Sequence, residues 1–593
     1  MNIRIHTIII ILLLSVFVLH AQSENKHLPP SFFLSEESSQ TVPLVRTPRL
    51  PTADLLQEDT DNDLLPLPWR FAVGQQVDYN LENSGKWTTL PDGSRIWRLR
   101  MYCPNATSMN LLYSSFYLPE GVSFYVYAPD YEQILDRLTH VHNRPNGRFA
   151  TALIQGQTIV VELHEPYKLI GRSRLTIRQI NRAYRGWDTL ERNSSTTASS
   201  CQVDVNCSPE GDSWQTAKNS VARYLLNGTH ICTGTLINNT AQDGRQLFLT
   251  AYHCVDEMDA VTNPDASDFV FYWNYEQSNC NNASIAPIRT TTGATLLANH
   301  SNADFALFEL HENPRVVADV HYAGWDATGN LDATGVCIHH PGGMVKKIST
   351  HSLVPEWDNW FNTSPQNSHL KIQPWDQTPN GYSITQSGSS GAPLLSRDGL
   401  VLGQLHGGGN FDCADPENDP GIFGALSYAW DNNNAVRATE RLRDWLDPVG
   451  QGANQLQAGR TRFDALISFQ TTQLQTVEEL ATAGTDCTTY ADYVFKLAIS
   501  DAPSDSVMIR LGTNGTATMG EHADFVLIPD SFAFHADKKF QDIILRIYDD
   551  ALIEEEESIV VTYQIETPSD NVAAGNENQQ FFATITSNDE APT

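Results

Sequence analysis

The stretch that decides the reading is "QLFLTAYHCVDEMDA", residues 246–260. A strand-like run ends in a titratable histidine, His253, set directly beside Cys254. Taken alone, such a histidine is more often structural than catalytic, so its role has to come from the surrounding chain. Two further motifs follow it: "NADFALFEL" with Asp304 and "SGSSGAPLL" with Ser390. A serine hydroxyl is a weak nucleophile that needs a base, and imidazole is the natural base near neutral pH. A buried carboxylate fixes the tautomer of that base and steadies the imidazolium. The glycines around Ser390 allow a sharp turn whose Gly388 and Ser390 amides face a developing oxyanion. "GSSG" alone reads as a flexible loop and "ADFAL" alone as an ordinary strand. Together, in His–Asp–Ser order, they read as a catalytic triad.

The chain of 593 residues is long enough for about three or four domains at ~150 residues each. Its formal net charge of −32 opposes binding to a nucleic-acid backbone and favours cations as ligands. Most of the carboxylates read as solvated surface. The N-terminus "MNIRIHTIIIILLLSVFVLHAQSENK" pairs Arg4 with an apolar run from Ile8 to Leu19. That run is shorter than the ~20 residues of a membrane span. It reads as a signal peptide, residues 1–21, cleaved after Ala21. The competing reading, an uncleaved anchor, is opposed by the short run. No later segment reads as a membrane span. The expectation is a secreted protein, extracellular or on the cell surface, without an integral membrane segment once the signal is removed, and monomeric.

Export permits disulfides. The nine cysteines leave at least one unpaired within the chain. Six of them, Cys337 set aside, fall between Cys201 and Cys413, which suggests one stapled domain. None has zinc-type CxxC spacing.

Residues 22–65 are rich in Pro, Ser, Thr and acids and read as a flexible lead. Residues 66–192 hold strand-like runs such as "RIWRLRMYC", "SFYVYAP" and "TIVVELHEPY", punctuated by turns. A polar linker, "ERNSSTTASS", ends this β-rich region. A mostly stranded, cysteine-rich domain occupies 193–450. It closes with "NNAVRATERLRDWLDP", where Val436, Leu442 and Trp445 have helical spacing. Residues 455–593 form a further strand-rich, acidic domain. The fold class is therefore all-β.

The order of the triad motifs resembles that of chymotrypsin-like proteases. The motifs "CQVDVNC", "LTAYHC", "CIHHPGGMVKKIS", "SGSSGAP" and "VLGQLHGG" together resemble the bacterial lysyl endopeptidase family over Cys201 to about residue 430. That resemblance implies a two-barrel trypsin-like domain with bridges Cys201–Cys413, Cys207–Cys280 and Cys232–Cys254. It also implies a substrate-binding position for His406, which otherwise reads as a satisfied core histidine. "GSRIWRLRMYCPNATSMNLLYSSFYLPEGVSFYVYAPD" is similar to the family's pro-region. This implies a segment that assists folding and covers the site until cleaved, with a permanent accessory domain as the alternative. The implied activity is a secreted serine endopeptidase acting on protein and peptide substrates after Lys or Arg, made as a precursor, with no cofactor for catalysis.

The sequence departs from the family at the specificity pocket. The family places an aspartate three residues before the glycine that matches Gly424, where this chain has Gly421. Asp419 serves if two residues are inserted, and Asp415 is a poorer candidate. A buried carboxylate selects Lys or Arg by charge pairing, so basic preference rests on Asp419. No lysine lies between Lys168 and Lys218, and Arg192 is the one basic residue late in the linker. Self-maturation at Arg192–Asn193 therefore requires acceptance of Arg.

"GTATMGEHADFVL" and "RIYDDALIEEEESIVV" resemble the Calx-beta family. The resemblance implies a β-sandwich and a Ca²⁺ site built from Asp524, Asp549, Asp550, Glu554 and Glu557, whose hard oxygens suit that ion. The alternative is a fold whose calcium site has decayed. The rival for the whole chain is a non-catalytic secreted adhesive or scaffold protein that uses a protease fold and a Ca²⁺-binding sandwich.

Overall fold

The structure is a computed structural model. It describes residues 28–34, 42–62, 67–135, 137–185, 200–280, 285–409, 412–415, 418–432 and 435–457 of the three N-terminal units. In the C-terminal unit it describes 465–471, 473–477, 489–500, 503, 505–520, 523–535, 538–549, 557–566, 572–575 and 578–586. The expected signal peptide and the linker residues 186–199 lie outside the described residues. Among the described residues no helix is long and apolar enough to cross a membrane.

Strands dominate because the sequence supplies β-branched and aromatic side chains in short runs broken by turn residues. The N-terminal β domain has two sheets of five strands each. One carries Arg95–Tyr102 at its centre and the other Arg174–Ala183. Their facing sides bury Trp97, Leu99, Tyr113, Phe116, Phe124 and Ile177 in one core.

The expected flexible lead needs correction. Residues Thr52–Asn62 form an α-helix and Leu44–Arg46 a strand paired in parallel with Arg95–Tyr102. Asp59 anchors the helix. Its carboxylate is buried and pairs with Arg70 at 2.7 Å and Arg185 at 3.2 Å. Composition marked these residues as polar, but a few long-range contacts fix them.

The cysteine-rich region folds into two sheets that meet at the site. The first orders its strands Arg289–Thr292, Val270–Trp273, Val221–Leu226, His230–Leu236, Leu247–Ala251, Phe305–Leu310 and Ala294–His300. A bridge from Asp265 to Thr295 brings its ends together. The second is built around Gly335–His339, Pro393–Ser396, Leu400–Gly408, Gly421–Ala425 and His369–Ile372. One apolar core containing Leu249, Leu307, Trp325, Ile338, Leu395 and Val401 spans both. The bridges Cys201–Cys413, Cys207–Cys280 and Cys232–Cys254 are all formed. Cys103 and Cys337 are buried free thiols, and Cys487 lies outside the described residues.

Two boundaries also differ from expectation. The closing helix is shorter: only Arg443–Leu446 is α-helical, and Val436 is 86% exposed. Leu442 and Leu446 supply the buried face, whereas Val436 lies outside the helix. Gln455–Leu456, assigned from sequence to the last domain, pairs with Gly324–Asp326 of the second barrel.

The C-terminal unit is a sandwich of two five-stranded sheets. Alternating residues such as Phe495, Leu497, Ile543, Leu545, Ile559 and Val561 fill the space between them.

Candidate active site

His253 sits in a single 3-10 turn, Tyr252–Cys254, immediately after the strand Leu247–Ala251. The disulfide from Cys254 to Cys232 fastens that turn to the adjacent strand. Asp304 follows another such turn, Ser301–Ala303, at φ 50° and ψ 41°. Aspartate tolerates this left-handed conformation better than most residues. The pairing of Ala251 with Phe305 sets the two turns side by side.

The contacts between them are short. The Tyr252 amide donates to the Asp304 carbonyl at 2.9 Å. The His253 amide donates to Asp304 Oδ1 at 2.8 Å, and His253 Nδ1 lies 2.8 Å from Oδ2. A carboxylate can only accept, so Nδ1 carries the proton and Nε2 is left as the basic nitrogen. That Nε2 is buried and has no hydrogen-bond partner among the described residues. Burial works against the Asp304 carboxylate, but the neighbouring His253 and His406 and the His253 hydrogen bonds outweigh it. They hold its pKa below the ordinary value.

Ser390 is presented by a tight turn at the seam of the barrels. Gly388 and Gly391 have φ of 91° and 82°, a region that glycine enters without strain. A Cβ at Gly391 would stand 2.1 Å from Thr250 Oγ1 and 2.3 Å from the Thr233 carbonyl. The turn therefore rests directly on the first barrel. The Thr233 amide donates to the Ser390 carbonyl at 2.8 Å, and the Thr233 hydroxyl to the Gly388 carbonyl at 2.9 Å. The strand that holds Thr250 also carries the chain to His253, so one strand positions both groups. No hydrogen bond joins Ser390 to His253 here. In unliganded sites such bonds are often long and tighten with substrate. Among the described residues, neither the Gly388 nor the Ser390 amide has a backbone acceptor.

His406 extends the constellation. Its ring stacks on His253 with centroids 5.3 Å apart and on Trp360 at 3.7 Å. His406 Nδ1 lies 2.9 Å from His369 Nε2 and 3.8 Å from Asp304 Oδ2. Ser368 Oγ in turn lies 2.7 Å from His369 Nδ1. Burial, aided by the neighbouring His253 and His369, pushes the His406 pKa down to about 3 despite the pull of Asp304. Donor atoms of His253, Asp304 and His406 lie within 4.8 Å of one another. With Nδ1 of His253 protonated toward Asp304, that nitrogen has no lone pair for an ion.

The three residues weighed for the specificity pocket lie in different surroundings. Asp419 is buried, and a Cβ at Gly409 would lie 2.9 Å from its Oδ1. Asp419 thus faces the segment that leaves His406. Gly421 points instead at Trp375, where a Cβ would meet the indole at 2.4 Å. Asp415 is only partly buried and lies in the loop after Cys413. At the C-terminal sandwich, Asp524 immediately precedes Phe525–Ile528 and Asp549 ends the strand Phe540–Asp549 that pairs with it, and the Thr516–Thr518 segment links Asp524 to the start of Glu557–Ile565. Asp550 and Glu554 lie outside the described residues.

Sequence reasoning did not assign roles to His369, Trp360, His339 or Arg223. His339 lies inside the quoted "CIHHPGG", and its Nδ1 lies 2.7 Å from the hydroxyl of Ser389, next to Ser390. The others have no local signature, because only the folded chain brings them to the site.

A two-barrel all-β domain with a His–Asp pair facing a serine turn across its seam is the architecture of the trypsin-like serine proteases. Residues 195–424 match the family model described as lysyl endopeptidase, C-terminal domain. The chain is 30% identical over 282 residues to the lysyl endopeptidase of Pseudomonas aeruginosa, covering 45% of this chain and 56% of that protein. It thus spans just over half the length of that relative. It is also 26% identical over 316 residues to the secreted RxLR effector protein 73 of Plasmopara viticola, covering 50% of this chain and 73% of that protein. Among solved structures, the secreted serine protease VesC from Vibrio cholerae matches at 12% identity and a TM-score of 0.24, covering 63% of this chain and 70% of that one. The apo Calx CBD1 domain matches at 16% identity and a TM-score of 0.17, covering 21% of this chain and 98% of that one. At such scores the structural likenesses carry no argument, and the fold rests on the strand order above.

Proposed function

We propose that the chain is a secreted serine endopeptidase. Ser390 attacks the peptide carbonyl, and His253 Nε2 takes the hydroxyl proton and returns it to the leaving amine. Asp304 holds the Nδ1–H tautomer and stabilises the imidazolium. The Gly388 and Ser390 amides receive the oxyanion. His406 forms a wall of the substrate-binding region. The observation that carries this reading is the pair of bonds from one buried carboxylate to both the amide and Nδ1 of His253, which leaves Nε2 unpartnered, on a turn that follows the strand residues Thr250 and Ala251 against which the serine turn rests.

Asp419 is proposed as the carboxylate that binds Lys or Arg on the acyl side of the cleaved bond. The 66–192 region is proposed as a pro-region, with maturation at Arg192–Asn193. The acidic end of the sandwich is proposed to bind Ca²⁺ through Asp524, Asp549, Asp550, Glu554 and Glu557. Its oxygen donors suit that ion, which would stabilise this unit and take no part in catalysis. The test of the activity is cleavage of peptide substrates by the parent protein and its loss in Ser390→Ala, by roughly 10⁴-fold or more. Near-parent cleavage by that variant would overturn the assignment.

A further inference from the structure

A second histidine lies behind the serine turn. The strand Gly335–His339 ends at His339, and the loop His340–Met344 follows it. His339, Ser389 and Ser349 are all buried, none more than 1% exposed. His339 Nδ1 lies 2.7 Å from Ser389 Oγ, and its Nε2 lies 3.1 Å from Ser349 Oγ. Ser349 stands on the paired strand Lys347–His351, and its hydroxyl donates to the Ile384 carbonyl at 2.8 Å.

These contacts can run in only one direction. A carbonyl only accepts, so the single hydroxyl proton of Ser349 goes to Ile384. Ser349 Oγ must then accept from the Nε2–H of His339. Burial, aided by the positive charge of Lys347, pushes the His339 pKa down to about 3, so the ring holds one proton at neutral pH. With that proton on Nε2, Nδ1 is the acceptor for the Ser389 hydroxyl. His339 is therefore the opposite tautomer to His253, and both of its nitrogens are engaged.

The same stretch of chain holds the peptide groups on either side. The Gly342 amide donates to the Ser387 carbonyl at 2.7 Å. A trans peptide is planar, with its C=O and N–H pointing opposite ways. Holding the Ser387 carbonyl against Gly342 thus aims the Gly388 amide to the other side. The Ala392 amide holds the Ser389 carbonyl at 2.9 Å and sets the Ser390 amide in the same manner. Between them, a Cβ at Gly388 would stand 3.0 Å from the Gly343 amide and 3.1 Å from the His340 carbonyl. Ser387, Gly388 and Ser389 are each gripped by residues 339–343. Without His339 the buried Ser389 hydroxyl loses its acceptor. The turn can then satisfy it only by rotating the adjoining peptides.

We infer that His339 is a positioning residue for the oxyanion turn. As the Nε2–H tautomer it ties Ser389 to Ser349 and Ile384, and so locks the peptides that present the Gly388 and Ser390 amides. This rests on the serine endopeptidase reading above. Preorganised amides act in the transition state more than in the ground state, so loosening them lowers kcat and leaves KM nearly unchanged.

The experiment compares the parent with His339→Phe, which removes both polar contacts, Ser389→Ala, which removes one hydroxyl, and His339→Gln, whose amide keeps an acceptor and a donor. In His339→Phe kcat should fall by about tenfold to 10²-fold, less than deletion of an oxyanion donor causes, with KM within about twofold. Ser389→Ala should show a smaller fall, and His339→Gln substantial recovery. Affinity for a peptide aldehyde, whose hemiacetal oxygen occupies the oxyanion position, should drop in step with kcat/KM. If His339→Phe does not fold, Ser389→Ala decides the question. Parent kcat in folded His339→Phe and Ser389→Ala would overturn the inference. So would a fall in kcat with undiminished aldehyde affinity, or a His339→Gln enzyme no better than His339→Phe. Histidine ¹⁵N resonances of the parent, assigned to His339 by their loss in His339→Gln, give a readout independent of activity. The Nε2–H form is expected at pH 7, and the Nδ1–H form or a doubly protonated ring would overturn the inference. A parent protein that cleaves nothing sinks the endopeptidase reading and with it the positioning role, while the resonances still read the tautomer by themselves.

Discussion

Replacing Asp304 by asparagine probes the site without disturbing the fold. Asparagine also tolerates the left-handed conformation that Asp304 adopts at φ 50°. Its carbonyl oxygen still accepts from the His253 amide, a donor at 2.8 Å that cannot change its proton. The side-chain NH₂ group is then forced toward Nδ1, 2.8 Å from the present Oδ2. A donor there drives the imidazole to its other tautomer, with the proton on Nε2. Nε2 then faces Ser390 as a donor and cannot accept its proton. In triads of this type the wrong tautomer lowers kcat by roughly 10⁴-fold, about 5.5 kcal/mol of barrier. The assay is kcat on an amide substrate, with thermal melting to confirm folding. A folded Asp304→Asn enzyme retaining more than a tenth of parent kcat would refute the tautomer argument.

The further predictions concern the pocket, the staple, pH and calcium. Asp419→Ala should cut kcat/KM for Lys and Arg substrates by roughly 10²-fold or more, as loss of one partner of a buried charge pair does, and unchanged basic-residue cleavage assigns the pocket elsewhere. Replacing Cys232 and Cys254 by alanine opens a loop of sequence separation 22, which should cost roughly 3 kcal/mol in chemical denaturation. An unchanged midpoint would show that the bridge adds nothing. Burial pushes His339, His369 and His406 down to about 3, 4 and 3. Below the unfolded pKa near 6.5 the unfolded chain binds the extra protons, so stability should fall with acidification by about 2 kcal/mol per histidine at pH 5. Denaturation at pH 7 and pH 5 measures this, and equal stabilities would contradict neutral buried rings. Millimolar Ca²⁺ should raise the melting transition of the C-terminal sandwich in the full chain and leave kcat unchanged; identical melts in chelator would leave the sandwich without a calcium role.

The parts legible in the sequence were those written locally. "LTAYHC", "NADFAL" and "GSSGAP" each carry a turn chemistry that survives in the fold, and strand content followed from alternation and turn residues. What escaped was long-range. His369 reaches His406 across the intervening strand Gly421–Ala425, and Trp360 reaches it from a separate loop. The helix Thr52–Asn62 looked like polar lead because a single residue, Asp59, supplies its buried anchor. The docking of Trp69 on Ile231 could not be read from either segment, since each is an ordinary strand until the open edge meets it. Whether Asp419 or Gly421 takes the pocket position was not written locally either, since the loop after Cys413 has no fixed length against the strand Gly421–Ala425.

The central claim is that Ser390 is the nucleophile activated by His253. A serine-directed fluorophosphonate, followed by peptide mapping of the labelled protein, tests it most directly. One stoichiometric label on Ser390 is expected, with no label in Ser390→Ala and strongly slowed labelling in His253→Ala. Stoichiometric labelling of another residue, or a parent protein that cleaves peptides yet takes no label at Ser390, would contradict it.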